Sequence, residues 1–258
     1  MRIWPAPQFS IDLTGQTALV TGAAAGLGRR FAQVLVAAGA RVAIAADRND
    51  PVEPLVEEIE RAGGRATAIR LDPTDAEQLI SSIGQAEQTL GPVTILINNA
   101  SIATAAAAID MQVELLDTAL ATNLRAPYIL SCEFARRLIY ARLPGRVVNV
   151  ASMAAYHCDD SGVSVYSMTC AGLIRMTETL AVEWAKFNIN VNAIVPGFFR
   201  SGMMEVAFEH GPRLPDRFSR RRVGEPEQLD SSLLYLVSPS SSFVTGTCIK
   251  VDDAQLPR

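Results

Sequence analysis

The 258-residue chain carries 23 Lys and Arg against 27 Asp and Glu, a formal net charge of −4, with 49% hydrophobic and 19% charged residues. That balance excludes a disordered chain. With no basic block beyond Arg220, Arg221 and Arg222, it also argues against nucleic acid as a partner.

No apolar run reaches the roughly eighteen residues a membrane span needs, so no span is expected. Residues 1–10, MRIWPAPQFS, read as a tail without the apolar stretch of a secretory leader. Either Trp4 and Phe9 pack onto the surface or a partner subunit, or the tail is loose. Cys132, Cys158, Cys170 and Cys248 are dispersed, as free thiols in a reducing compartment would be, and a cytoplasmic location is expected.

Short apolar strands then alternate with longer amphipathic segments. Strand one, Thr17 to Val20, turns through Gly22, Gly26 and Gly28 into a helix ending near Gly39. Strand two is Arg41 to Ala46, followed by a helix from Pro51 to Ala62 that Gly63 and Gly64 stop. Strand three, Ala66 to Arg70, precedes a helix opened by Pro73, Thr74 and Asp75 and running to Leu90. Strand four is Thr94 to Ile97, and Ala103 to Ala108 is a connection or the start of a short helix. One long helix is expected from Glu114 to Arg137 or beyond, bent at Pro127. Strand five is Arg146 to Asn149, and a second long helix covers Val165 to Phe187. Strand six is Asn190 to Ala193. The mixed segment 198–218 reads as a substrate lid, and a helix from Glu227 to Leu236 precedes the last strand, Thr247 to Val251.

This βαβ alternation without repeat or linker predicts a single α/β domain over 1–258. The expected architecture is a Rossmann fold, a doubly wound and mostly parallel seven-stranded sheet with helices on both faces. Ligands then bind beyond the carboxyl ends of the strands.

The glycine turn carries the first chemistry. A strand, a glycine-rich turn and a helix place a dinucleotide pyrophosphate on a helix N-terminus. Gly22 permits the tight turn, Gly26 lets backbone approach phosphate, and Gly28 lets helix pack on strand; Ala25 and Leu27 complete the cradle. Asp47 lies nineteen residues beyond Gly28, where an acid hydrogen-bonds a ribose 2′-hydroxyl and repels a 2′-phosphate. NAD is therefore preferred. Arg48 keeps NADP as the alternative, because a guanidinium there reaches a 2′-phosphate.

The spacing Thr21-Gly22-x-x-x-Gly26-x-Gly28, the segment NVASMAAY, and the run VYSMTCAGLIRMTETLAVEWAKFNINVNAIVPGFFRSGM resemble the short-chain dehydrogenase/reductase family. The likeness extends over nearly all the chain, from Leu13 to Asp252. It implies an NAD(P)-dependent oxidoreductase interconverting an alcohol and a ketone of a small or medium substrate, sugar-like compounds included. It also implies a homotetramer or homodimer. By resemblance Asp72 contacts adenine; it reads equally as a helix N-cap. Asn99 and Ala100 belong to an Asn-Asn-Ala-Gly motif in which Ser101 replaces the glycine. Pro196 and Gly197 enclose the nicotinamide, and Ser201 matches a threonine that contacts its carboxamide. An acid one position before Asp47 is common in NAD-preferring members, and this chain has Ala46 there.

The resemblance implies a catalytic set of Asn123, holding a relay water, Ser152, polarising the substrate oxygen, and Tyr166, the acid–base group that also lies against the cofactor. The fourth position departs: Tyr-x-x-x-Lys is Tyr166-Ser-Met-Thr-Cys170 here. An i,i+4 pair lies about 6 Å apart along a helix. From there the family lysine lowers the tyrosine pKa, and three units correspond to roughly 4 kcal/mol. A thiol supplies no such charge. A catalytically weak or inactive cofactor-binding protein with a regulatory or scaffolding role therefore stays open beside the enzyme. His157, Cys158, Asp159 and Asp160 are consecutive and lack zinc-like spacing, so no metal is expected.

Overall fold

The computed structural model describes residues 11–157, 162–201, 216 and 218–255. Seven strands form one parallel sheet: β1 (Thr17–Thr21), β2 (Arg41–Ala46), β3 (Ala66–Arg70), β4 (Ile95–Asn98), β5 (Gly145–Val150), β6 (Ile189–Pro196) and β7 (Cys248–Val251). Their order is β3-β2-β1-β4-β5-β6-β7. The chain runs outward from β1 through β3, then crosses back to place β4 on the other side of β1. The crevice between β1 and β4 is therefore the topological switch point, where open α/β sheets bind ligands.

Strands buried on both faces need mostly apolar residues, and the interiors of β1, β2 and β4 supply them, while β6 also buries Asn190 and Asn192. One face is covered by α1 (Gly26–Ala37), α2 (Glu53–Arg61) and α7 (Asp230–Val237), which pack Phe31, Leu35, Leu55 and Leu233 against Ile44 and Ile97. The other is covered by α3 (Ala76–Leu90), α5 (Ala126–Ala141) and α6 (Ser164–Trp184), which pack Leu79, Phe134 and Trp184 against Leu96 and Val147. Among the described residues no helix is long and apolar enough to cross a membrane.

Two expectations are corrected, the single long helix and the cap of α3. The single long helix from Glu114 is two, α4 (Val113–Leu120) and α5, joined by a π-helical turn over Ala121–Arg125. Pro127 follows just after that turn, near the start of α5, where the chain is already helical and the ring removes one backbone donor. The alanine-rich stretch is, as expected, a connection, and it leads into a short 3-10 turn, Ala108–Asp110. The cap of α3 is Asp75, whose carboxylate accepts from the backbone N–H of Glu77 at 2.9 Å and Gln78 at 3.1 Å; Asp72 is not the cap. Asp72 instead accepts from the Thr74 backbone and hydroxyl, both at 2.7 Å.

Candidate active site

The cradle begins where β1 ends. Gly22 has φ +62° and Gly26 φ +53°, backbone that L side chains rarely adopt. A Cβ on Gly28 would press into the Gly22 carbonyl oxygen and sit 2.5 Å from Asn99 Nδ2, so helix and turn touch only because that side chain is missing. Ala25 gives α1 no side-chain cap, and no acid occupies the first turn. The first N–H groups of the helix thus lack intrahelical and side-chain partners, and their positive end faces the crevice uncompensated. Leu27 packs against the core.

The neighbouring strand holds this turn. Thr21 Oγ1 accepts from the backbone N–H of Asn99 at 2.9 Å and of Ala100 at 3.0 Å. Asn99 Nδ2 donates to the carbonyls of Thr21 at 3.0 Å and Gly22 at 3.2 Å. Asn99 therefore fixes the turn and does not line the cavity beside it. Beneath, Asn98 Nδ2 donates to Asn149 Oδ1 at 2.8 Å, and Asn149 Nδ2 to Thr177 Oγ1 at 2.8 Å, tying β4, β5 and α6 together.

A cavity of about 370 Å³ opens from the turn, bordered by Gly22, Asp47, Leu71, Asp72 and Ala100. It gathers residues from the ends of β1, β2, β3 and β4, as an adenosine pocket at a switch point would. Asp47 borders it, and its carboxylate accepts from Asn49 N–H at 3.1 Å. Arg48 is exposed and lies off the lining. Arg70, which the sequence presents only as a strand end, donates through Nη1 to the carbonyls of Asp47, Arg48 and Asp50 at 3.1, 3.3 and 2.7 Å. Its Nη2 pairs with Glu53.

The second cluster stands above β4 and β5. Ser152 follows β5, and its Oγ accepts from Ala154 N–H at 3.1 Å. Tyr166 lies in the first turns of α6, its ring partly open and its hydroxyl deep, interacting with the side chains of Ser152, Ser101 and Cys170. Burial pushes this phenol well above the ordinary tyrosine value and Cys170 adds to the rise; Ser152 and Ser101 oppose it. Cys170 is 5% exposed, its thiol pushed up to about 12 by burial and eased by Tyr166 and Thr169. It is therefore a neutral, packed thiol.

Asn123, 5% exposed, stands in the π-helical turn. Its Oδ1 accepts from Ile102 N–H at 2.8 Å and Ser101 Oγ at 3.2 Å. Its Nδ2 donates to Ile102 carbonyl at 2.9 Å and Thr169 Oγ1 at 3.2 Å. The amide thus stitches the loop after β4 to α6. π-turns within α-helices recur at functional sites.

At the end of β6, Pro196 is buried and a Cβ on Gly197 would sit 2.8 Å from Asp252 Cβ. Ser201 approaches the Gly26 turn. Gln255 Oε1 accepts from Phe198 N–H at 2.6 Å, and its Nε2 donates to the carbonyls of Phe198 at 3.1 Å and Arg222 at 3.2 Å. Phe198 and Phe218 stack at 5.2 Å. Most of the expected lid, 202–215 and 217, lies outside the described residues, as do 1–10, Cys158, Asp159 and Asp160. Among the described residues no cluster of three His, Cys, Asp or Glu is present.

The arrangement is that of a known group of proteins. A profile described as short chain dehydrogenase matches residues 16–211. The chain is 32% identical to oxidoreductase UcpA of Salmonella typhimurium, over 93% of this chain and 94% of that one. It is 31% identical to 2-dehydro-3-deoxy-D-gluconate 5-dehydrogenase of Dickeya dadantii, over 96% and 98%. A short chain dehydrogenase from Burkholderia cenocepacia, solved in complex with NADP, superposes with a TM-score of 0.88 at 30% identity, covering 94% of this chain and 98% of that one. The family match, the sequence identity and the likeness of fold agree, and the chain belongs to the short-chain dehydrogenase family of oxidoreductases.

Proposed function

We propose that the protein is an NAD(P)-dependent oxidoreductase that interconverts an alcohol and a ketone, with Tyr166 handling the proton and Ser152 holding the substrate oxygen. The observation that carries this reading is the interaction of the Ser152 and Tyr166 side chains, from the end of β5 and the first turns of α6, together with the uncapped N-terminus of α1 at the end of β1. Gly22, Ala25, Gly26, Leu27 and Gly28 would hold the pyrophosphate, and Asp47 and Asp72 the adenosine. Pro196, Gly197 and Ser201 would hold the nicotinamide end. Bound there, the dinucleotide supplies or accepts the hydride. Tyr166 gives its phenol proton to the carbonyl oxygen in reduction, and Ser152 fixes that oxygen beside it. Asn123 serves by bracing the Ser101–Ile102 loop against α6.

NAD is the proposed preference, since Asp47 borders the adenosine cavity while Arg48 stands off it. A polyhydroxylated acid or sugar is the proposed substrate class, on the likeness to the Dickeya dadantii gluconate-type enzyme. A homotetramer or homodimer in the cytoplasm belongs to the same proposal. Exposed Tyr128 and Val182, on α5 and α6, favour assembly, and Cys132, Cys170 and Cys248 are unpaired.

Cys170 stands where the family lysine is expected, and its neutrality favours a second reading, a cofactor-binding protein with little or no turnover. A hydride-transfer screen of sugar acids and polyols with NAD(H) and NADP(H), comparing the parent with Tyr166→Phe and Cys170→Lys, separates the two. Turnover in the parent that Tyr166→Phe removes supports the enzyme. Turnover appearing only in Cys170→Lys supports the second reading.

A further inference from the structure

We propose that Gln255 is a positioning residue whose side-chain amide clasps the backbone of loop 196–201, and that this clasp governs how tightly the nicotinamide half of a dinucleotide is held. The inference deepens the oxidoreductase reading and rests on it for its ligand.

Gln255 is 7% exposed, and both ends of its amide are engaged. Oε1 accepts from Phe198 N–H at 2.6 Å, and the two Nε2 protons go to the carbonyls of Phe198 at 3.1 Å and Arg222 at 3.2 Å. One N–H and two carbonyls as partners fix which end of the amide is oxygen. Phe198 is therefore bonded through both its N–H and its C=O, as a neighbouring strand would bond it. β6 ends at Pro196, and Gly197 N–H still bonds the Val251 carbonyl at the end of β7, at 2.9 Å. The Gln255 side chain carries the pairing one residue further, past the last residue of β7.

The fit is close. A Cβ on Gly197 would press into Gln255 Oε1 and sit 2.8 Å from Asp252 Cβ. The turn that delivers Gln255 is strained: Asp253 has φ +50° and Ala254 φ +56°, left-handed backbone at two consecutive residues that carry side chains. Such backbone persists where surrounding contacts impose it, and it concentrates at functional sites. Arg222 supplies those contacts, donating from Nε and Nη2 to the Asp253 carboxylate at 2.6 and 3.0 Å, and Arg220 pairs with it at 3.0 Å. From the clasped Phe198 the loop runs on to Ser201, which approaches the Gly26 turn. The clasp thus holds one side of the crevice in place before a ligand arrives, and a preorganised loop loses less freedom on binding. The adenosine cavity is built from other segments, at the ends of β1 to β4.

The test uses Gln255→Glu, which keeps the acceptor and loses both donors, and Gln255→Leu, which loses all three bonds at similar bulk. Calorimetric titration of the full chain compares NADH or NADPH, whichever the parent holds more tightly, with the matching ADP-ribose or its 2′-phosphate, which lacks nicotinamide. A neutral hydrogen bond is worth about fivefold. Dinucleotide affinity is expected to fall about fivefold in Gln255→Glu and about tenfold or more in Gln255→Leu, while the ADP-ribose probe stays within about twofold of the parent. Unchanged dinucleotide affinity in both variants overturns the proposal, and so does an equal loss for the ADP-ribose probe, the mark of a merely structural role. Hydrogen exchange reads the clasp without ligand: the Phe198 amide should exchange at least about fivefold faster in Gln255→Leu, with Leu19 in β1 unchanged. Equal exchange at Phe198 also overturns the proposal. A parent that binds neither probe defeats the oxidoreductase reading instead, and faster Phe198 exchange then keeps the clasp.

Discussion

Arg70 Nη1 lies 2.7 Å from the backbone carbonyl of Asp50, and through it the end of β3 holds the loop that presents Asp47. The two N–H groups of Nη1 are shared among three carbonyls of this loop while Nη2 pairs with Glu53, so one guanidinium ties the loop to the start of α2 through two separate nitrogens, which a single ammonium nitrogen does not offer. Arg70→Ala is expected to raise the dinucleotide KM about threefold to tenfold while kcat changes little, the worth of roughly one hydrogen bond. Arg70→Lys should recover only part. Initial rates over a dinucleotide series check this, and an unchanged KM refutes it.

The Gly28 position is the sharpest steric test of the cradle. Gly28→Ala drives a methyl group against the Gly22 carbonyl and Asn99. Overpacking of this kind costs about 1–3 kcal/mol. A lowered melting temperature and at least a severalfold loss of dinucleotide affinity should appear together in calorimetry. Wild-type affinity in this variant would show that the turn relaxes freely.

In the oxidative direction Tyr166 must first lose a proton that burial and Cys170 hold on it. The oxidation rate is therefore expected to climb about tenfold per pH unit from neutral into the alkaline range, without a plateau there. Cys170→Lys should bring the plateau down in pH, because a cation favours the phenolate. Reduction, which uses the neutral phenol, should stay flat over the same range. Stopped-flow rates in both directions give the comparison.

The Cys170 thiol makes a separate statement about stability. Its folded value is raised from 9.0 to about 12, so above pH 9 the unfolded chain releases a proton that the folded protein keeps. Its contribution is complete below pH 9 and falls as pH rises toward 12, by up to about 1.4 kcal/mol per pH unit. Urea unfolding of the parent and Cys170→Ala between pH 8 and about 10.5 should show a slope that the alanine variant lessens. Parallel slopes would rule this out.

The strands were legible because buried parallel strands demand continuous apolar runs: Leu19, Ile44, Leu96 and Val147 announce themselves. Gly22, Gly26 and Gly28 were legible from their spacing, and Cys170 from its distance to Tyr166. The π-turn was not, since no residue pattern in Ala121 to Arg125 separates a π-turn from an α-helical one, and what accompanies the distortion is the Asn123 contact with a loop twenty residues away. Arg70 could not be picked from other surface arginines, because its partners are backbone carbonyls that carry no side-chain signature. Ser101 was visible as a departure from the family motif. Its reach to Asn123 depended on how closely the loop after β4 approaches the π-turn.

The turn at Ala121–Arg125 also ties the site to a count of residues. A π-turn accommodates one more residue than the α-helical turn it interrupts. Removing Leu124 or Arg125 would let α4 and α5 merge into a regular helix, rotating everything upstream, Asn123 included, by about 100° relative to α5. Asn123 would then swing away from Ile102 even though no chemistry-bearing residue had been altered. Along this stretch the number of residues matters as much as their identity, and deleting one of them would do more harm than most substitutions.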